Sequence, residues 1–162
     1  MDTMDNIIIF CAKYLFVFVI LIFAWAWFQA PVRYKKQMVV ALVTAGIIAG
    51  IIDKIAGKLY YDPRPFVTHH VTPLVSHAAD NGFPSEHTLL CFTIATVLYF
   101  YRPKMSYLAF GLAVLVGFGR VAAHVHSPID IIGGIIFGIA AGFGGHYISG
   151  RLLIIKTKPK EL

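Results

Sequence analysis

Five stretches of this chain are each about 20 residues long and nearly free of charge, the length a helix needs to cross a lipid bilayer. They run roughly from Ile7 to Phe28, Met38 to Lys58, Ser85 to Tyr101, Met105 to Ala123 and Pro128 to Ser149. None has a clean polar face, so they suit helices in lipid better than a bundle in water. The predicted fold is therefore all-α, a polytopic bundle of about five transmembrane helices. Glycines 111, 117 and 119, then 133, 134, 138, 142, 144 and 145, permit close helix contact. With 162 residues and neither internal repeat nor low-complexity linker, residues 1–162 read as a single domain.

Charge orients the chain. Charged residues are 14% of the sequence, well below the soluble norm of about 25%. The net charge of +6 would suggest a nucleic-acid partner in a soluble protein. Here the cations fall between apolar runs, so they read as orientation signals and no nucleic acid is expected. Arg33, Lys35, Lys36, Arg102, Lys104, Arg151, Lys156, Lys158 and Lys160 all fall on one side. The positive-inside rule makes that side cytoplasmic, with the amino terminus outside a cell membrane and the carboxyl terminus inside. No basic region precedes Ile7 and no small-residue cleavage site follows the first run, so no cleavable leader is expected. Cys11 and Cys91 lie inside apolar runs and read as packing thiols.

The outer connections gather the polar chemistry. They carry His69, His70, His77, His87, His124 and His126, and three segments stand out. One is Lys58 to Pro65, with Arg64. Another is Gly82 to Thr88, with Pro84, Ser85, Glu86 and His87. The last is Gly119 to Asp130, with Arg120, His124, His126, Ser127 and Pro128. Lys58, Arg64 and Arg120 are cations on the face where the positive-inside rule does not put them. Guanidinium groups fork onto phosphate oxygens and lysine adds a point charge. Interfacial snorkelling would explain each cation singly, but not all three together. Ser85, after Pro84, starts a helix whose free amides make an anion cradle; plain capping is the simpler role for its hydroxyl. Ser127 before Pro128 reads as an N-cap, which puts Asp130 in the first turn, able to fold back on His126. An acid-oriented imidazole is a nucleophile or base, although Asp130 also fits a capping box with Ser127. His124 is the rival imidazole. His87, beside Ser85, can protonate a leaving oxygen. His69, His70 and His77 read as solvated loop residues. A zinc site built from several histidines lacks a Cys pair or a His-Glu helical motif to support it.

Together the three segments resemble the type 2 phosphatidic-acid phosphatase superfamily. Lys58, Arg64 and Pro65 match its first motif; Pro84, Ser85 and His87 its second; Arg120, His126 and Asp130 its third, a spacing that selects His126 over His124. The chain departs from the pattern in three places. The spacer after Lys58 is one residue short, Gly119 replaces the usual serine, and Glu86 replaces the usual glycine. An acid at position 86 is similar to the bacitracin-resistance subgroup of undecaprenyl-diphosphate phosphatases.

The resemblance implies hydrolysis without metal or other cofactor, in which His126 attacks the terminal phosphorus and Asp130 orients it. It further implies that Lys58, Arg64, Ser85 and Arg120 hold the phosphate oxygens, that His87 protonates the leaving group, and that Glu86 bears on substrate choice. The implied partner is a membrane lipid phosphate or diphosphate on the outer leaflet, undecaprenyl diphosphate first and a glycerolipid phosphate second. A non-enzymatic lipid transporter would use the same cations but would not require His126. The charge pattern is checked by fusing to Leu162 a reporter active only in the cytoplasm. Signal is expected, and a silent fusion that is expressed and inserted would reverse the orientation.

Overall fold

The computed structural model describes residues 2–157, with side chains through Leu152. The predicted cytoplasmic cations Lys156, Lys158 and Lys160 therefore lie outside the described side chains. Seven helices form: α1 (Thr3–Lys13), α2 (Leu15–Phe28), α3 (Val32–Leu59), α4 (Pro65–Thr68), α5 (Glu86–Tyr101), α6 (Pro103–Ala122) and α7 (Pro128–Thr157). The all-α expectation stands, and the five predicted spans correspond to α1 with α2, α3, α5, α6 and α7. Among the described residues, α3, α6 and α7 are each long and apolar enough to cross a membrane singly, and α1 with α2 makes a fourth if the bent pair counts as one span. The predicted third span corresponds to α5, whose 16 residues give about 24 Å of helix against about 30 Å of hydrocarbon.

α5 is short because it is enclosed. Ten of its residues, from Thr88 to Leu98, are buried, and α2, α3, α6 and α7 pack round it. Its polar side chains turn back on the helix: Thr93 and Thr96 donate to the carbonyls of Leu89 and Phe92 at 2.8 and 2.7 Å. Polar groups that meet no water are thereby satisfied. Cys91 lies in this core and Cys11 at its edge, both as free thiols.

Glycine sets the spacing between helices. A side chain at Gly138 would put its Cβ 2.7 Å from the Leu89 carbonyl oxygen, so α7 lies directly on the backbone of α5. Lower down, a Cβ at Gly145 would come within 2.5 Å of the Ala45 Cβ and 2.6 Å of the Ala41 oxygen, so α3 approaches α7 as closely. Small residues let helix backbones touch and maximise dispersion contact where lipid supplies no hydrophobic drive.

The predicted first span is broken. α1 and α2 meet at a 47° bend about Tyr14. The cause lies on α6, where a Cβ on Gly119 would sit 2.7 Å from the Cys11 Cβ and 2.8 Å from the Ala12 nitrogen. α1 thus tilts over the C-terminal end of α6, and Ala12 joins Ala123 and Val125 in a small cluster packed by Ile8, Phe66, Leu74 and Val75. That cluster roofs the end of the bundle where α3 and α6 finish and α5 and α7 begin.

Overpacking a tight helix contact costs about 1–3 kcal/mol. Gly145→Val should therefore lower the melting temperature in detergent by several degrees, whereas Gly111→Val, with nothing within 4 Å of its Cβ, should not. Equal melting of the two variants would contradict this packing.

Candidate active site

The site forms where the three polar segments meet. A tight turn links α6 to α7, with His124 in the left-handed region at φ 60. The turn leaves the His124 side chain exposed and directs His126 inward, where it is buried. Ser127 and Asp130 then start α7 as a reciprocal cap: the Ser127 N–H donates to Asp130 Oδ2 at 2.8 Å and the Asp130 N–H to Ser127 Oγ at 3.4 Å. The same Oδ2 lies 3.2 Å from His126 Nδ1. Capping and orienting, alternatives in the sequence, are one arrangement in the fold. Ser127 also bonds the Asp62 carboxylate, tying the turn to the segment before Arg64.

Two guanidinium groups face the other side of the ring. Arg64 Nη1 lies 3.3 Å and Arg120 Nη2 3.2 Å from His126 Nε2. Guanidinium nitrogens only donate, so Nε2 carries the lone pair and Nδ1 the proton given to Asp130. Burial is the main cause holding His126 below the ordinary imidazole range; the Asp130 hydrogen bond acts the other way, and the positive Arg120 and Arg64 add to the lowering. The ring is therefore neutral at physiological pH, with its nucleophilic lone pair aimed between two cations.

Each guanidinium is itself anchored. Arg64 Nε donates to Asp80 Oδ1 at 2.7 Å, Nη1 to the Val125 carbonyl at 2.9 Å and Nη2 to the Asn81 carbonyl at 3.3 Å. The Arg64 hydrogen bond holds the Asp80 carboxyl below the usual carboxylate range. Arg120 Nη1 donates to the Ala12 carbonyl at 3.3 Å, and among the described residues its buried Nε has no partner.

These groups border a cavity of about 310 Å³ lined also by Asp53, Lys54, Gly57, His77, Asp80, Asn81, Phe83, Pro84, Glu86 and His87. Of the predicted site residues, Arg64, Glu86, His87, Arg120 and His126 reach its wall, with Asp130 directly behind His126. Ser85 does not line it. That side chain is fully buried, accepts from Thr88 Oγ1 at 3.1 Å and makes no cap bond to α5. Its N–H instead donates to the Asp130 carbonyl at 3.1 Å, joining the second segment to the third.

Lys58 requires a correction: it is exposed and absent from the cavity wall, whereas Lys54 and Gly57 are on it. Residues four apart share a helix face, so Lys58 and Lys54 differ by one turn along α3, and it is Lys54 that reaches the wall. Gly57 occupies the lining position where the full motif spacing would put the lysine.

Sequence reading missed Asn81 and His77. Asn81 holds the wall together: its Nδ2 donates to the Gly57 and Tyr60 carbonyls at 2.8 and 3.0 Å, and its Oδ1 accepts from the Asp62 and Phe83 N–H groups at 2.9 and 3.0 Å. A lone Asn beside Gly82 reads as an ordinary turn, and no spacing signal would have singled it out. His69, His70 and His124 stay exposed outside the cavity, but His77 lines it.

A family model for the PAP2 superfamily matches residues 35–153. The chain belongs to the PAP2 superfamily. It is also 33% identical to the undecaprenyl-diphosphatase BcrC of Bacillus subtilis (strain 168) over 142 residues, which are 88% of this chain and 73% of that protein. Its fold resembles the crystal structure of Aquifex aeolicus LpxE with a TM-score of 0.67 and 26% identity, covering 93% of this chain and 87% of the other. A PAP2 type phosphatidylglycerolphosphate phosphatase from Bacillus subtilis shares the fold at a TM-score of 0.56 and 24% identity, covering 98% and 78%. The chain is accordingly a multi-pass membrane protein.

If Lys54 supplies the charge that Lys58 was expected to supply, Lys54→Ala should weaken inhibition by orthovanadate, a trigonal-bipyramidal phosphate mimic, by about 10-fold. Lys58→Ala should leave it within about 2-fold, the scale of an exposed charge. The reverse order would restore Lys58 to the site.

Proposed function

We propose that this protein is a membrane lipid phosphatase that removes the terminal phosphate of a lipid diphosphate, undecaprenyl diphosphate foremost, through a phosphohistidine on His126. The observation that carries the reading is the His126 ring itself, held by Asp130 on Nδ1 and faced by Arg64 and Arg120 at Nε2. A transporter needs cations but not an oriented, neutral imidazole between them. The name carried by the Bacillus subtilis relative supports the diphosphate substrate.

In the first step the His126 Nε2 lone pair attacks the terminal phosphorus. The bond from phosphorus to the bridging oxygen breaks, its electron pair leaves with the lipid monophosphate, and His87, entering the step as the imidazolium, gives that oxygen a proton and is left as the neutral base that the second step needs. Arg64, Arg120 and Lys54 meet the charge that spreads over the equatorial oxygens, which is where preorganised donors lower the barrier most. The imidazolium formed on His126 keeps its Nδ1 proton against Asp130. In the second step water attacks the phosphorus, His87 takes the water's proton, the P–N bond breaks and phosphate leaves with His126 restored. Ser85 supports this site from behind, through its backbone bond to Asp130.

The site opens at the end of the bundle opposite the cationic connections around Arg33 and Arg102. By the positive-inside rule that end is extracytoplasmic, which suits a headgroup presented on the outer leaflet.

Phosphate release from purified lipid phosphates and diphosphates, measured with excess chelator, tests the reading. Release from undecaprenyl diphosphate is expected to persist, and loss on chelation with recovery on adding zinc or magnesium would favour a metal enzyme. His126→Ala should abolish both turnover and acid-labile phosphate on the quenched protein. Asp130→Asn should lose on the order of 10²-fold or more by favouring the wrong tautomer, and His124→Ala should be mild. Because the nucleophile must be neutral and His126 is held low, kcat/KM should stay level as pH falls through 6.5 and drop only below it. A label that survives in His126→Ala and vanishes in His124→Ala would overturn the assignment.

A further inference from the structure

His77 belongs to none of the three motifs, and in the sequence it reads as a solvated loop histidine. The fold treats it otherwise. Its ring meets the His126 ring edge to face, with centroids 6.0 Å apart, and it lines the same cavity. Its loop is fastened on both sides. The Leu74 N–H donates to the Ala123 carbonyl at 3.2 Å, and Asp80, three residues on, takes the Arg64 bond at 2.7 Å. Its Nδ1 is buried without a partner among the described residues. A rigidly held ring with a buried, unmatched nitrogen beside the nucleophile is poorly explained by packing alone, because burying an unpaired polar atom is unfavourable.

The chain also departs from the motif pattern at two donor positions, only the first of which a neighbour, Lys54, covers. Gly57 stands on the cavity wall where the lysine spacing points, and Gly119 stands where a serine hydroxyl would be. The second loss is enforced, since Cys11 and Ala12 fill the space beside Gly119.

We propose that His77 is an additional phosphate-binding residue, donating a ring N–H to an oxygen of the phosphoryl group that His126 attacks. The assignment rests on the phosphatase reading above. Either tautomer of a neutral imidazole presents one N–H. Burial, then Arg64, Arg120 and His126, push this ring down to about 4 while Asp80 opposes them, so at physiological pH it is neutral. A neutral donor suits this place. It adds a hydrogen bond to the phosphate without adding a third cation to those already crowding His126.

The test uses the purified full-length protein in detergent, with orthovanadate inhibiting phosphate release from undecaprenyl diphosphate. His77→Phe keeps the ring and its packing but removes both nitrogens, and it should weaken vanadate inhibition by about 10- to 100-fold. His77→Gln keeps an N–H donor and should remain close to wild type. Unchanged vanadate sensitivity in His77→Phe would overturn the proposal, as would equal weakening in both variants, which would assign the ring to packing. A measurement independent of variant folding uses wild-type protein labelled with 15N-histidine: saturating vanadate should shift the His77 ring resonances, and an unmoved signal would overturn the proposal. Failure of the wild-type protein to release phosphate from any lipid would instead overturn the phosphatase reading itself.

Discussion

Two buried guanidinium groups beside one imidazole determine the shape of the end of the bundle that holds the cavity. Charge taken out of water is costly unless its donors find acceptors, and among the described residues Arg120 Nε is the one buried nitrogen of the two groups without one. Arg64 and Arg120 collect theirs from distant parts of the chain: Asp80, Asn81 and Val125 for one, Ala12 for the other. Satisfying them therefore draws together the loop before α5, the turn before α7 and the end of α1. The same demand leaves one nitrogen of each arginine directed at His126. The atoms that hold the loops together are thus the ones that face the imidazole.

The bend at Tyr14 belongs to this arrangement. In an unbroken helix the Ala12 carbonyl would accept from the backbone four residues on. The break releases it, and Arg120 takes it. Gly119, one residue before Arg120, has no side chain, which lets α1 come close enough for that bond. A departure from the family motif and a departure from a straight first span thus have one cause.

Much of this was legible in the sequence because it rests on spacing. Helix lengths follow from apolar runs, and Asp130, in the first turn after the Ser127 cap and Pro128, was placed to fold back on His126. The bend was not legible, because nothing in residues 7–28 breaks a helix; the reason lies on α6. Lys58 is off the cavity wall and Lys54 on it because the two stand a turn apart along α3, and motif spacing does not say at which depth the cavity lies. His77 and Asn81 escaped notice for a related reason. Their roles come from where a long irregular loop is pinned, and pinning by backbone bonds such as Leu74 to Ala123 leaves no periodic trace.

Three of the glycines of α7, at 134, 138 and 142, would each place a Cβ within 3 Å of α5, at the Thr88 side chain, the Leu89 carbonyl and the Thr96 side chain respectively. Backbone meshed with backbone at one-turn intervals leaves no slack for either helix to slide or roll. His87 sits at the head of one helix and His126 immediately before the other, so the two imidazoles are mounted on a single strut. Their separation is then set by the packing of α5 on α7, independently of the loop that carries His77 and Asp80.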